Sequence, residues 1–348
     1  VKSHMISPVA GHYRTRYWHK LDDGRVVCDL CPRTCALREG KRGACFIRRA
    51  CHGEIILSSY GRTSGLAVDP IEKKPLNHFY PGSTVLSFGT SGCNLACKFC
   101  QNWNISNSRD VSISSIEATP EQIAILAKKQ RCQSVAFTYN DPVIFLEYAR
   151  DTAIACHAMN IKTVAVSAGY ICNAPRREFF RHIDAANIDL KAFSERFYQK
   201  LCAATLAPVL DTLLYLKHET DVWLEITTLL IPGENDSNKE LTEMTRWIVD
   251  NLGADIPLHF SAFHPAFKMQ NKPSTSLETL LRARTIAQQQ GLRYVYTGNI
   301  SNSDTESTYC PVCQHLLIQR DRYQISLFTL NDNSYCPECH TRIAGIFN

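Results

Sequence analysis

Ser91-Gly92-Cys93-Asn94-Leu95-Ala96-Cys97-Lys98-Phe99-Cys100-Gln101-Asn102-Trp103 is the stretch that decides how this chain is read. Its cysteines follow the spacing C-x-x-x-C-x-x-C. Three thiolates this close can hold three irons of a cubane and leave the fourth iron without a protein ligand. An open iron can bind a small chelating molecule, which a site closed by four cysteines does not readily do. Iron also keeps as thiolate a group whose ordinary pKa is about 8.5. The motif directly follows a short apolar run over 84–88, bounded by Gly82 and Gly89. A zinc knuckle with a distant fourth ligand and three unrelated buried thiols are the competing readings. A loop at the C-terminal end of the first strand of a β/α repeat suits the cluster better than either.

Outward from the motif, strand-like and helix-like stretches alternate. Strands are expected over 84–88, 134–139, 162–167, 186–191, 222–229, 257–263 and 293–296. Helices are expected over about 120–130, 142–159, 175–182, 194–202, 209–217, 237–251 and 276–290. The first of these helices opens on Thr119-Pro120-Glu121, with Thr as N-cap and Pro at the first helical position. Strand then helix, repeated with short links, implies parallel strands joined by crossovers. Seven strands approach a barrel and stop short of a closed eight. The expected fold class is α/β, a partial (β/α) TIM-like barrel over 83–300. A small cysteine-rich module lies on either side, N-terminal (1–82, with a strand over 54–58) and C-terminal (301–348). Chemistry in such a barrel gathers at the C-terminal ends of the strands.

The chain has 16 cysteines among 348 residues. All but Cys51, Cys132, Cys156, Cys172 and Cys202 fall into three tight groups, which in a reducing compartment read as metal ligands. The isolated five read as buried small residues. Cys172 and Cys202 could act as hydrogen donors or sulfur carriers if they faced the site, but packing is the favoured reading. Cys310-Pro311-Val312-Cys313 and Cys336-Pro337-Glu338-Cys339 are a pair of C-x-x-C knuckles one ribbon apart, the pattern of a four-cysteine zinc ribbon, with a rubredoxin-like iron site as the alternative. Cys28, Cys31, Cys35 and Cys45 form the second four-thiol set, for zinc or for an auxiliary iron–sulfur cluster; spacing does not separate the two.

Polar groups at strand ends mark the rest of the candidate site. They are Asn140 and Asp141 before Pro142, Ser167 in Ser167-Ala168-Gly169, and the pair Asp189 and Lys191, which share one strand face with Leu190 on the other. Glu225 stands in an otherwise apolar strand and is expected inside the barrel as a cofactor-binding residue, because a lone charge there is seldom buried without a partner. His264 follows the sixth strand and could line the site, although a lone histidine more often packs or caps.

A net charge of +5 is modest and leaves a nucleic-acid partner open. Lys41, Arg42, Arg48 and Arg49 read as a solvated rim around the N-terminal cysteines. No apolar run approaches the ~20 residues of a membrane span. The first stretch lacks the pattern of a signal peptide, and Val1 to His4 before Met5 resemble a tag remnant. The expectation is a soluble, cytoplasmic protein without a membrane partner.

With Phe99 before its last cysteine, the segment 93–100 resembles the radical S-adenosylmethionine (SAM) superfamily. The resemblance implies a [4Fe–4S] cluster on Cys93, Cys97 and Cys100, and SAM as the molecule at the open iron. It implies one-electron cleavage of SAM to methionine and a 5′-deoxyadenosyl radical that takes hydrogen from a substrate. It places Phe99 near the adenine. In the family a Gly-Gly-Glu-type motif meets the amino group of SAM; Asn140 and Asp141 stand at that place here, so the carboxylate role passes to Asp141. Ser167 would approach the ribose or carboxylate. Asp189-Leu190-Lys191 is similar to a stretch of glycyl-radical-enzyme activases that faces SAM. From about residue 11 onward, the 28–45 set, Pro70-Ile71-Glu72-Lys73-Lys74-Pro75-Leu76, 93–103, 138–142, Asn187-Ile188-Asp189-Leu190-Lys191-Ala192-Phe193 and the final knuckles resemble the AmmeMemoRadiSam-system enzymes, related to pyruvate formate-lyase activating enzymes. That narrower resemblance implies MEMO-like and AMMECR1-like partners, and an electron donor such as flavodoxin or ferredoxin. The substrate would be the backbone of a glycyl-radical protein or, alternatively, RNA or another protein side group. Two non-catalytic readings compete: a zinc-rich interaction protein and a plain electron-transfer iron–sulfur protein.

Overall fold

The computed structural model describes residues 12–109, 115–331 and 334–348; Val1 to His4 lie outside them. Seven parallel strands run in chain order across one sheet: β1 (Thr84–Gly89), β2 (Ser134–Phe137), β3 (Lys162–Ser167), β4 (Ala185–Asp189), β5 (Trp223–Leu230), β6 (Leu258–Ala262) and β7 (Val295–Gly298). Phe137 of β2 lies in register with Phe88 of β1 and Ala165 of β3. β2 is buried along its whole length, and its Ser-Val-Ala-Phe sequence is the short, largely apolar run of a strand covered on both faces. The links carry helices α1 (Pro120–Lys129), α2 (Leu146–His157), α3 (Asn173–Phe180), α4 (Ala207–Glu219), α5 (Asn238–Leu252) and α6 (Leu277–Gln289).

Local chemistry fixes the boundaries. Thr119 Oγ1 accepts from the Gln122 N–H while Gln122 Oε1 accepts from the Thr119 N–H, a reciprocal cap that starts α1 at Pro120. Asp141 caps the turn Pro142–Phe145 that leads into α2. The helix expected over 194–202 is instead a short turn, Glu195–Phe197, followed by a wide π-type turn, Tyr198–Cys202, that ends at Ala203 with φ 51°.

The sheet is open and wider than the alternation of elements suggests. Arg62–Pro70 pairs antiparallel with β1, and Ile116–Glu117 pairs with that strand in turn. The central sheet thus reaches into residues before 83. The rest of the N-terminal region forms two three-stranded sheets, one containing Glu54–Leu57 and one containing Val26–Cys28. Arg48 corrects the expectation of a solvated rim: it is 1% exposed and ion-paired to Glu147 at 2.5 Å. A buried guanidinium requires such a partner.

The C-terminal module is a ribbon of Thr308–Tyr309, Leu316–Asp321 and Gln324–Phe328. It docks on the segment before β1. Arg320, also 1% exposed, donates from Nη2 to the Asn77 carbonyl at 2.8 Å, and the Ile346 N–H donates to the His78 carbonyl at 2.7 Å. Among the described residues, no helix is long and apolar enough to cross a membrane.

Candidate active site at the strand ends

The cysteine loop leaves β1 through two glycines whose lack of a side chain is needed. A Cβ on Gly89 would lie 2.4 Å from the Thr138 carbonyl oxygen, and one on Gly92 (φ +84°) would lie 2.0 Å from the Cys45 carbonyl oxygen. The Asn140 side chain ties the loop down: its Oδ1 accepts from the Thr90 N–H at 3.1 Å and its Nδ2 donates to the Gly92 carbonyl at 2.7 Å. The π-type turn braces the far side, where Ala96 and Lys98 N–H groups donate to the carbonyls of Cys202 and Leu201.

Cys93, Cys97 and Cys100 face one open cavity of about 320 Å³ at the C-terminal ends of the strands. Phe99, Asn140, Asp141, Asp189 and Lys191 line it too, so most of the expected site residues meet in one place. Phe99 is buried, its ring 5.6 Å from that of Phe197. Asp189 and Lys191 pair at 2.7 Å, with Leu190 buried on the other side. Burial by itself would lower the Lys191 pKa, but Asp189, Cys97 and Cys202 outweigh it and hold the ammonium well above its ordinary value.

Ser167 reaches the site through Asp141: its hydroxyl donates to Asp141 Oδ1 at 2.9 Å. The Val143 and Ala168 N–H groups donate to the same carboxylate. Burial nevertheless pushes the Asp141 pKa up to about 6. Burial likewise raises the Cys93 and Cys100 thiols, whereas Cys97 is raised first by its hydrogen bond with Cys202 and then by burial.

Glu225 does not join this group. It faces the same side of β5 as Thr227 and Leu229, which line the cavity, but sits lower on the strand. Its carboxylate accepts from the Asn77 and His78 N–H groups at 3.0 and 2.8 Å, from Trp223 Nε1 at 3.0 Å, and meets His259 Nε2 at 2.6 Å. Burial would raise this carboxyl; the His259 hydrogen bond and charge, with His78, hold it below its usual value. Glu225 therefore anchors the segment before β1 to the base of the sheet. His264 is exposed, its Nε2 3.3 Å from the Asn299 carbonyl. Cys202 is fully buried beside Cys97, and Cys172 sits at the start of α3; neither lines the cavity.

Thr227, Ser261 and Asn299, which no sequence motif singles out, also line the cavity. The Thr227 hydroxyl is buried without a hydrogen-bond partner. An orphaned buried hydroxyl on a cavity wall is the mark of a place a ligand's polar group can fill. Its position two residues beyond Glu225 on a strand was the available signal.

Residues 88–245 match the radical SAM superfamily profile. The uncharacterized protein MJ0808 of Methanocaldococcus jannaschii is 40% identical over 328 residues, covering 94% of this chain and 97% of that protein. The chain belongs to the radical SAM superfamily. The 4-hydroxyphenylacetate decarboxylase activating enzyme of Clostridioides difficile (strain 630) is 22% identical over 173 residues, 47% of this chain and 54% of the enzyme, so the chain matches about half that relative's length. Streptococcus suis SuiB bound to S-adenosylmethionine superposes with a TM-score of 0.50 at 16% identity, covering 66% of this chain and 53% of SuiB. That likeness establishes the radical SAM fold alone. The three cysteines, offered from one loop to one cavity, are a donor set suited to the superfamily's [4Fe–4S] cluster.

Proposed function

We propose that this radical SAM protein binds SAM in the cavity beside Cys93, Cys97 and Cys100 and abstracts hydrogen from the backbone of a protein substrate, as a glycyl-radical activase does. The observation that carries the reading is the cavity itself. Three thiols of one loop line it, and Asp189, Lys191, Asp141 and the unpartnered Thr227 hydroxyl are the polar groups around them that carry the reading.

A [4Fe–4S] cluster on the three cysteines would supply one electron to SAM, giving methionine and a 5′-deoxyadenosyl radical that becomes 5′-deoxyadenosine when it takes a hydrogen atom and leaves a carbon radical on the substrate. The chain's own residues bind and shield. Lys191 offers a fixed cation to the carboxylate of SAM, and Asp141 with Asp189 offers negative charge to its amino group. The Phe99 ring offers an apolar face to the adenine. Leu95, Val166, Ala168 and Leu229 keep water from the reacting end. Asn140 holds the cysteine loop in place through its two hydrogen bonds.

The protein substrate is supported by two features: the likeness to an activating enzyme over 173 residues, and the Asp189-Leu190-Lys191 stretch. The C-terminal knuckles would hold structural zinc, for their sulfurs stand 3.4 and 3.6 Å apart in pairs. Partners on this reading are a flavodoxin- or ferredoxin-like electron donor and MEMO-like and AMMECR1-like proteins.

The test is anaerobic. The chain is reconstituted with iron and sulfide, reduced and given SAM, and 5′-deoxyadenosine is measured. Wild type should form it and Cys97→Ala should not. A wild-type protein that holds its reduced cluster yet leaves SAM intact would contradict the proposal. Transfer of deuterium from a Cα-labelled glycine peptide into the product would identify the backbone as donor.

A further inference from the structure

Cys28, Cys31, Cys35 and Cys45 take no part in the chemistry above, yet all four line one small cavity, together with Arg48, Asn94 and Ile144. The separation of their sulfurs distinguishes a single ion from a cluster. In tetrahedral zinc, bonds of about 2.3 Å bring the sulfurs to about 3.8 Å from one another. Among the described residues, only the C-terminal four gather their ligand atoms tightly enough for a single ion, all within 4.8 Å. The N-terminal four do not, and neither do Cys93, Cys97 and Cys100. In this respect the N-terminal set resembles the cluster-binding loop of the superfamily rather than the ribbon. A cubane needs such a gap, because each thiolate binds a different iron and the cluster's width separates them.

Two further features surround the gap. Backbone N–H groups point at every sulfur: Leu30 at Cys28, Arg33 at Cys31, Ala44 at Cys35 (3.4 Å), and both Ile47 and Arg48 at Cys45. Such donors favour charged sulfur over neutral thiol. Arg48 lines the cavity with its side chain 1% exposed. Its Nε donates to the Ile144 carbonyl at 3.0 Å and its Nη2 to Glu147, but its Nη1 has no partner. A charged donor left bare in the interior is costly unless something accepts from it. A cluster with four thiolates is a buried anion, and its sulfurs are acceptors.

We propose that Cys28, Cys31, Cys35 and Cys45 hold a second iron–sulfur cluster of cubane size, with Arg48 as its buried counter-charge, and not a zinc ion. With all four irons ligated by protein, this cluster offers no position to SAM. It adjoins the radical SAM loop directly: Asn94, the residue after Cys93, lines the N-terminal cavity, and its carbonyl accepts from Arg33 Nε at 2.8 Å.

The test separates this site from the first. The full chain carrying Cys93→Ala, Cys97→Ala and Cys100→Ala is reconstituted anaerobically, and iron, sulfide and zinc are counted. About four irons and four sulfides per chain are expected, with a cubane EPR signal after dithionite that SAM does not alter. No iron, or a second zinc beside that of the ribbon, overturns the proposal. Wild-type stoichiometry decides the matter even if the triple variant fails to fold. About eight irons support the second cluster, and about four irons that Cys28→Ala with Cys31→Ala leaves unchanged overturn it. Failure of the radical SAM reading alone would look different, with the N-terminal iron retained and no cluster on the 93–100 loop.

Discussion

Two four-cysteine sets flank the central sheet, and they present their sulfurs in opposite ways. At the C-terminus, two knuckles face each other across a ribbon; Cys310 and Cys339 approach to 3.4 Å, Cys313 and Cys336 to 3.6 Å, and Cys313 is exposed. At the N-terminus the sulfurs line a small cavity backed by Ile144 and a buried ion pair. Both sets contain C-x-x-C. The difference lies in what packs around them. The ribbon's four sulfurs gather within 4.8 Å of one another, close enough for a single ion, and among the described residues the N-terminal four do not. Spacing along the chain names the ligands, and tertiary packing sets the size of what they hold.

The widest effect should come from breaking the ribbon. Structural zinc supplies an apparent ~10–16 kcal/mol in small modules. Cys336→Ser with Cys339→Ser should therefore release the metal and open 308–348 to limited proteolysis, while iron at the 93–100 loop stays. A ribbon that remains protease-resistant without its metal would remove the contrast. Next is Arg48→Met, which strands Glu147 in the interior and should cost about 3–5 kcal/mol in urea unfolding. Arg48→Met with Glu147→Leu should regain most of that stability and still retain less iron at the N-terminal set. Full iron retention would reduce Arg48 to a structural role.

The third prediction concerns the joint between ribbon and sheet. His78 Nε2 meets the Tyr296 hydroxyl at 2.6 Å and Nδ1 meets the Ala344 carbonyl, and burial lowers its pKa from 6.5 to about 4. The unfolded chain binds the proton more readily, so stability is full above about pH 6.5 and is lost as pH falls toward 4. The loss is roughly 3 kcal/mol. The urea midpoint should fall across that window, and His78→Gln should flatten the fall; an unchanged slope would refute the assignment. The smallest effect is expected for Gly92→Ala. Its Cβ would meet the Cys45 carbonyl oxygen at 2.0 Å in a left-handed backbone, a strain of more than about 1 kcal/mol. It should lower iron at both the 28–45 and 93–100 sets and leave the ribbon's metal unchanged, as measured by elemental analysis.

Much of this was legible in the sequence where the chemistry is local. The seven parallel strands follow from alternation of short apolar runs with capped helices, and 162–167 matches β3 at both ends. The cysteine loop and the Asp189–Lys191 pair are legible because a strand has period two and a barrel works at its C-terminal ends. Three features were not legible. The antiparallel Arg62–Pro70 has a polar, glycine-containing sequence whose strand character comes from its pairing with β1. Glu225 was expected to bind the cofactor, but it is tied down below the cavity by the Asn77–His78 segment, which is distant in sequence. Arg48 looked like surface charge because its partner, Glu147, lies 99 residues away.

The central claim is that the three-thiol site is open to SAM and the four-thiol site is closed. EPR of the dithionite-reduced protein, recorded with and without SAM, tests it most directly when each cluster is isolated. With Cys28→Ala and Cys31→Ala, the remaining cubane signal on Cys93, Cys97 and Cys100 should change its g-values when SAM is added. A signal that SAM leaves untouched in that variant would contradict the account.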